Sequence, residues 1–196
     1  MNAAVRRLEV QRSALVLVDY QARLMPSIDG GAEVLGHALL LADAARELGV
    51  PVIGTEQNPA GLGPNDERVR ERCASVLAKT HFDACADGLL DALPKLAAPL
   101  DVVLAGCEAH VCLLQTALGV LRAGHCAFVV APACGSRRAS DHALAMRRLE
   151  QAGACLVSPE MAVFEWLRHC RHERFRPVLQ LLKDAGPRER PGDDGT

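Results

Sequence analysis

Three side chains have the types and the placement of a covalent catalytic centre: Asp19, Lys79 and Cys112. Asp19 follows the apolar run Ala14–Val18, Lys79 follows Ser75–Ala78, and Cys112 lies just beyond Val102–Ala105. A carboxylate, an ammonium and a thiol brought together supply a proton acceptor, a charge to hold it, and a nucleophile. Cys112 opens a helical pattern of Val111, Leu114, Leu118 and Leu121, which Gly124 closes. In a first helical turn the free N–H groups and the dipole favour an anion, which predicts a lowered thiol pKa. Each residue also has a plain structural reading. Cys112 fits as a core thiol between Val111 and Leu113, Asp19 as a loop cap, and Lys79 as a solvated lysine. Their joint placement favours the chemistry.

The elements that must position them follow from apolar periodicity. Asp101–Gly124 reads as strand, tight turn and helix, and the chain is organised around it. Short apolar runs predict further strands at 14–18, 51–54, 75–78, 126–131 and 154–157. Helical spacing predicts helices at 32–48, 87–96, 140–151, 159–168 and 173–183. The segments 55–65 and 132–137 are expected to be loops, the first acting as lid and specificity wall. Strands alternating with helices give an α/β fold, a parallel sheet with helices on both faces. Ligands bind such sheets at the strand ends beside a topological switch point, and all three candidates fall on that edge.

The 196 residues suit one domain, assigned to 1–185, with a polar Pro/Gly-rich tail at 186–196 expected to be disordered. A net charge of -2 and 3% aromatic residues argue against nucleic acid and anionic membrane as partners. No apolar run is long enough to span a bilayer, and the first residues lack a signal-peptide core, so a cytoplasmic location is expected. The eight cysteines show no C-x-x-C pair, so most are read as small buried hydrophobes and no zinc site is expected.

Other groups invite weaker readings. His110 precedes Cys112 by two residues and points elsewhere on a helix, which suits a rim residue. His81 and Phe82 follow Lys79 and border the same edge. His169-Cys170-Arg171-His172 has metal-like spacing but reads as a solvated face. Ser136-Arg137-Arg138 follows a strand on the site edge, so one arginine is placed to hold a substrate carboxylate, with a surface charge cluster as the alternative.

The stretches LVLVDYQARLMPSI, VLAKTHFDAC and LAGCEAHVCLLQTAL resemble the signature blocks of the isochorismatase-like cysteine hydrolases, over roughly 14–183. TEQNPAGLGP and GCEAHVC are most similar to the isochorismatase domain-containing branch. The resemblance implies a three-layer α/β/α fold with a six-stranded parallel sheet of order 3-2-1-4-5-6. It implies an Asp-Lys-Cys triad at Asp19, Lys79 and Cys112. It also implies a turn at Cys107 and Glu108, containing a cis peptide, that helps to bind an oxyanion. Gln21, Glu56, Gln57, Phe82 and His110 are then the candidates for the substrate pocket. Relatives that bind zinc carry an Asp-x-His element after the second strand; here Thr55-Glu56-Gln57-Asn58-Pro59 stands in that place. No metal and no cofactor are therefore expected, and nicotinamide is a disfavoured substrate. A homo-oligomer is implied as well, with the apolar C-terminal helices as a surface.

The expected activity is hydrolysis of a small amide or related carbonyl compound through a thioester. Two alternatives stay open: a binding or scaffold protein that keeps the fold without turnover, and a redox thiol in which Cys107 resolves Cys112.

Overall fold

The computed structural model describes residues 6–93, 95 and 99–185; the tail at 186–196 lies outside the described residues. Six strands form one parallel sheet: β1 (Ser13–Val18), β2 (Val52–Gln57), β3 (Ser75–Lys79), β4 (Asp101–Cys107), β5 (Cys126–Gly135) and β6 (Cys155–Val157). Their order is β3-β2-β1-β4-β5-β6, as the resemblance implied. The helices are α1 (Gly31–Glu47), α2 (Pro59–Leu62), α3 (Glu67–Arg70), α4 (Leu89–Ala92), α5 (Leu114–Arg122), α6 (Ala139–Gln151), α7 (Pro159–Leu167) and α8 (Phe175–Ala185).

The three layers follow from strand alternation. Leu15, Leu17, Val103 and Phe128 face one way and pack with α1, α7 and α8. Ala14, Val16, Val102, Leu104 and Val129 face the other way and pack with α5 and α6. Because both faces are covered, the central strands are apolar at successive positions, which is why they read as continuous runs. The chain leaves β1 for β2 on one side and returns to β4 on the other, so the crevice between β1 and β4 is the switch point.

Several expected boundaries are corrected. The segment 55–65 is not a loop throughout: β2 runs on through Gln57, and α2 follows. Thr55, Glu56 and Gln57 are buried polar residues whose side chains are hydrogen-bonded, so an apolar pattern could not reveal them. β5 likewise continues through 132–135, where a register shift opposite Leu104 and Gly106 admits exposed Pro132. Of the helix expected at 87–96, residues 94 and 96 lie outside the described residues, and the described part holds the end of a 3₁₀ turn, Ala84–Asp87, and the single turn of α4. The helix expected from 111 begins instead as a π turn, Ala109–Leu113, which hands over to α5.

Candidate active site

Three neighbouring strands end in non-glycine residues with left-handed backbones. Asp19 follows β1 with φ 56°, Asn58 follows β2 with φ 40°, and Glu108 follows β4 with φ 33°. Such conformations cost of order 1–3 kcal/mol each and persist where surrounding structure enforces them, often at functional sites. Here they turn the chain sharply at the rim of the switch point. The β1–β4 approach is close because residue 106 is glycine: a Cβ there would lie 2.5 Å from Val18 Cβ and 2.6 Å from the Val18 carbonyl oxygen.

Asp19 and Lys79 meet in the crevice. Lys79 Nζ lies 2.8 Å from Asp19 Oδ2, with both side chains completely buried. The Thr55 hydroxyl donates to Asp19 Oδ1 at 2.7 Å, and Lys79 Nζ donates to Gln57 Oε1 at 2.6 Å. Asp19 Oδ2 accepts no well-aligned hydrogen bond among the described residues, despite the ammonium beside it. The carboxylate is held on both sides, Oδ1 by the Thr55 hydroxyl and Oδ2 by the ammonium.

Cys112 occupies the fourth position of the π turn and is 5% exposed. Its thiol reaches Gln57 Oε1 at 3.8 Å and lies close enough for both Asp19 and Lys79 to act on it. The lowered pKa expected from the helix start is corrected here. Burial first, and then the Asp19 carboxylate, push the thiol up to about 12, against the pull of Lys79. A dipole effect that fades within one turn does not offset the removal of a thiolate from water. At rest the proton therefore sits on sulfur, close to the Asp19 carboxylate.

The remaining candidates divide. Gln57 belongs to the centre, pinned by its Nε2 donating to the Thr80 carbonyl at 2.7 Å. Gln21 does not: its amide is spent on the backbone of Gln57 and Gly63, as a clamp joining the segment after β1 to that after β2. Glu56 is likewise turned to the Asn65 N–H at 2.9 Å and to Arg70 at 3.8 Å. The Phe82 side chain is 49% exposed. Cys107 packs in the core on the α1 side of the sheet and Cys112 in the core on the α5 side, which counts against a disulfide between them. Glu108 and His110 form a rim cluster, with His110 Nδ1 3.0 Å from Ser136 Oγ and 3.3 Å from Glu108 Oε2. Thr55 was missed because it lay in the supposed loop, although it pairs with Val18 and so sits beside Asp19 by register.

Three surface clefts, of about 250, 590 and 610 Å³, lie elsewhere, and none has Asp19, Lys79 or Cys112 in its wall. Among the described residues no three His, Cys, Asp or Glu side chains converge as a metal would require. No helix among them is long and apolar enough to cross a membrane.

Residues 13–161 match the family model described as isochorismatase domain. Isochorismatase domain-containing protein 2 of Danio rerio is 32% identical over 185 residues, covering 94% of each chain. Among solved structures, the MAR1 ribonuclease of Caenorhabditis elegans is 33% identical with a TM-score of 0.86, covering 97% of this chain and all of that one. YcaC of Pseudomonas aeruginosa, described with hexane-2,5-diol and covalent acrylamide, is 26% identical with a TM-score of 0.84, covering 92% of this chain and 94% of that one.

Proposed function

Because the chain belongs to the isochorismatase domain family, we propose that it is a cofactor-free cysteine hydrolase of small amides or related carbonyl compounds. One observation carries this reading. A buried carboxylate, paired at 2.8 Å with a buried lysine, lies beside a thiol whose proton burial holds on sulfur. Such a pair has little structural use, since an apolar substitute of equal volume is often as stable. It does have a chemical use.

Asp19 takes the thiol proton as Sγ of Cys112 forms a bond to the substrate carbonyl carbon. Backbone N–H groups of the turn 107–112 stabilise the oxyanion, with Cys107 and Glu108 shaping that turn. Collapse of the tetrahedral intermediate breaks the carbon–nitrogen bond, and Asp19 returns the proton to the leaving amine. Water then attacks the thioester and gives its proton to Asp19; the carboxylic acid leaves and the thiol is restored. Lys79, 2.8 Å from Asp19, keeps the moving negative charge between carboxylate and sulfur. Gln57 holds Lys79 in place. Covalent acrylamide in the Pseudomonas neighbour is in keeping with a nucleophile in this fold.

The test is a panel of small amides and esters offered to wild type and to Cys112→Ala, with mass spectrometry for an acyl adduct on Cys112. Turnover lost in the variant, with an adduct of one acyl mass in wild type, supports the reading. The Caenorhabditis neighbour is described as a ribonuclease, so the panel includes RNA. RNA cleavage that survives in Cys112→Ala overturns the proposed chemistry. The reading includes a homo-oligomer, since α1 and α8 leave an apolar groove lined by Leu39, Leu40 and Leu181. Sedimentation of the full chain tests it.

A further inference from the structure

Beside the nucleophile's turn, one arginine is aimed and half used. The register pairs Cys107 of β4 with Gly135 of β5, so Ser136 and Arg137 emerge next to Glu108. The Glu108 carboxylate is nearly buried, with Arg137 Nε 2.5 Å from Oε1 and His110 Nδ1 3.3 Å from Oε2. Ser136 Oγ, 3.0 Å from the same imidazole nitrogen, closes the cluster. Glu108 also carries the carbonyl that accepts the Val111 N–H at 2.8 Å, and Val111 adjoins Cys112. The guanidinium is therefore one side chain away from the turn that bears the sulfur.

Glu108 is the ion-pair partner of Arg137. No other ion pair of Arg137 is found among the described residues, and the side chain is 61% exposed. A solvated arginine without a role does not need a nearly buried glutamate to hold it. A guanidinium with a carboxylate on one side and solvent on the other still presents N–H groups outward, and a planar fork of such groups pairs with a carboxylate in two parallel bonds. Asp19 and Lys79 neutralise each other inside the site, and Glu108 offsets Arg137 in the same way, so what the rim offers a carboxylate is the set of N–H groups that Arg137 presents.

We propose that Arg137, aimed by Glu108, is the anchor for a carboxylate on the substrate, so that the favoured class is small amides or esters that also carry a free carboxylate. This rests on Cys112 being the reacting group. The experiment uses two alkylating reagents that differ in charge, iodoacetate and iodoacetamide. Their rates at Cys112 are read by peptide mass spectrometry at pH 9, and their ratio is normalised to that for free cysteine. In wild type the normalised ratio favours iodoacetate by about threefold to fivefold, the range expected for a solvent-exposed charge contact. It falls towards one as salt is raised. Arg137→Gln abolishes the preference while leaving the iodoacetamide rate within twofold, whereas Arg138→Gln leaves the preference intact. A structural defect would move both reagents together and leave the ratio unchanged. A wild-type ratio in Arg137→Gln, or equal losses in both arginine variants, overturns the anchor and leaves the hydrolase reading standing. Failure of either reagent to reach Cys112 at all overturns both.

Discussion

Lys79 Nζ sits 2.8 Å from Asp19 Oδ2 where neither side chain touches solvent. Two charges taken out of water together are tolerable, whereas one left alone is costly. Lys79→Met is therefore expected to lower the unfolding free energy by about 3–5 kcal/mol, because it strands a buried carboxylate. Adding Asp19→Asn should recover most of that loss, since no buried charge remains and asparagine tolerates the left-handed backbone at this position. Urea titration of the two single variants and the double variant measures the coupling. Strictly additive losses would show that the two groups do not neutralise each other.

The pKa of the nucleophile sets a second expectation. With the Cys112 thiol pushed up to about 12 by burial and by Asp19, its thiolate is scarce at neutral pH and grows with alkalinity. Alkylation of Cys112 by iodoacetamide should rise about tenfold per pH unit between pH 7 and pH 10, without a plateau. Exposed Cys170 should label first at neutral pH. Asp19→Asn removes the repelling carboxylate, so it should speed alkylation at a given pH while abolishing hydrolysis. Peptide-resolved kinetics check both. A plateau below pH 8 would mean that the resting sulfur is already ionised.

Much of this arrangement was legible in the residues, and the gaps have physical causes. Apolar runs covered on both faces marked β1 and β4, and the polar residue ending each of β1 and β3 marked the site edge. The order of the sheet came from the resemblance, because parallel pairing leaves no local trace in sequence. The continuation of β2 through Thr55, Glu56 and Gln57 could not be read, since buried polar residues with satisfied hydrogen bonds look like loop residues. Gln21 shows the opposite error: its amide is used up by the backbone of Gln57 and Gly63, and only coordinates reveal that it has nothing left for a ligand. The π turn at Ala109–Leu113 escaped because its apolar spacing mimics the start of α5.

Stability should fall in alkali for reasons beyond the active site. Burial raises the thiols of Cys85 and Cys134 to about 12 and that of Cys73 to about 11, from an ordinary value of 9.0. Between those values the unfolded chain releases protons that the folded chain keeps, so folding loses support as pH rises. The contribution is complete below about pH 9 and is lost progressively towards pH 12. Unfolding free energies at pH 8 and pH 10 should differ in that direction. Cys134→Ala, which removes a fully buried thiol, should flatten the slope whatever it does to the stability at pH 8.

Gly106 is the position where strand spacing limits the site. An added Cβ would meet Val18 at 2.5 and 2.6 Å, the second contact being backbone, so neither side can yield cheaply. Gly106→Ala should destabilise the protein by about 1–3 kcal/mol through overpacking. Because Val18 precedes Asp19, it should also displace the carboxylate from Lys79. Hydrolysis should fall further than stability predicts, measured as turnover on protein verified to be folded. Wild-type turnover would mean that the β1–β4 spacing is not what places the carboxylate.

Gln57 separates positioning from electrostatics at the sulfur. Its Oε1 accepts from Lys79 at 2.6 Å and lies 3.8 Å from the Cys112 sulfur, while its Nε2 is fixed by the Thr80 carbonyl. Gln57→Leu removes the acceptor without adding charge. It should cost about 1–3 kcal/mol of stability for the hydrogen bonds left unmade and reduce hydrolysis, while leaving the alkylation rate of Cys112 near wild type. Gln57→Glu adds a second carboxylate beside the thiol, which raises the thiol pKa further by like-charge repulsion. Alkylation at pH 9 should then slow several-fold. If the two variants slowed alkylation equally, the amide would act on the sulfur by contact, and the charge balance among Asp19, Lys79 and Cys112 would not be what governs its reactivity.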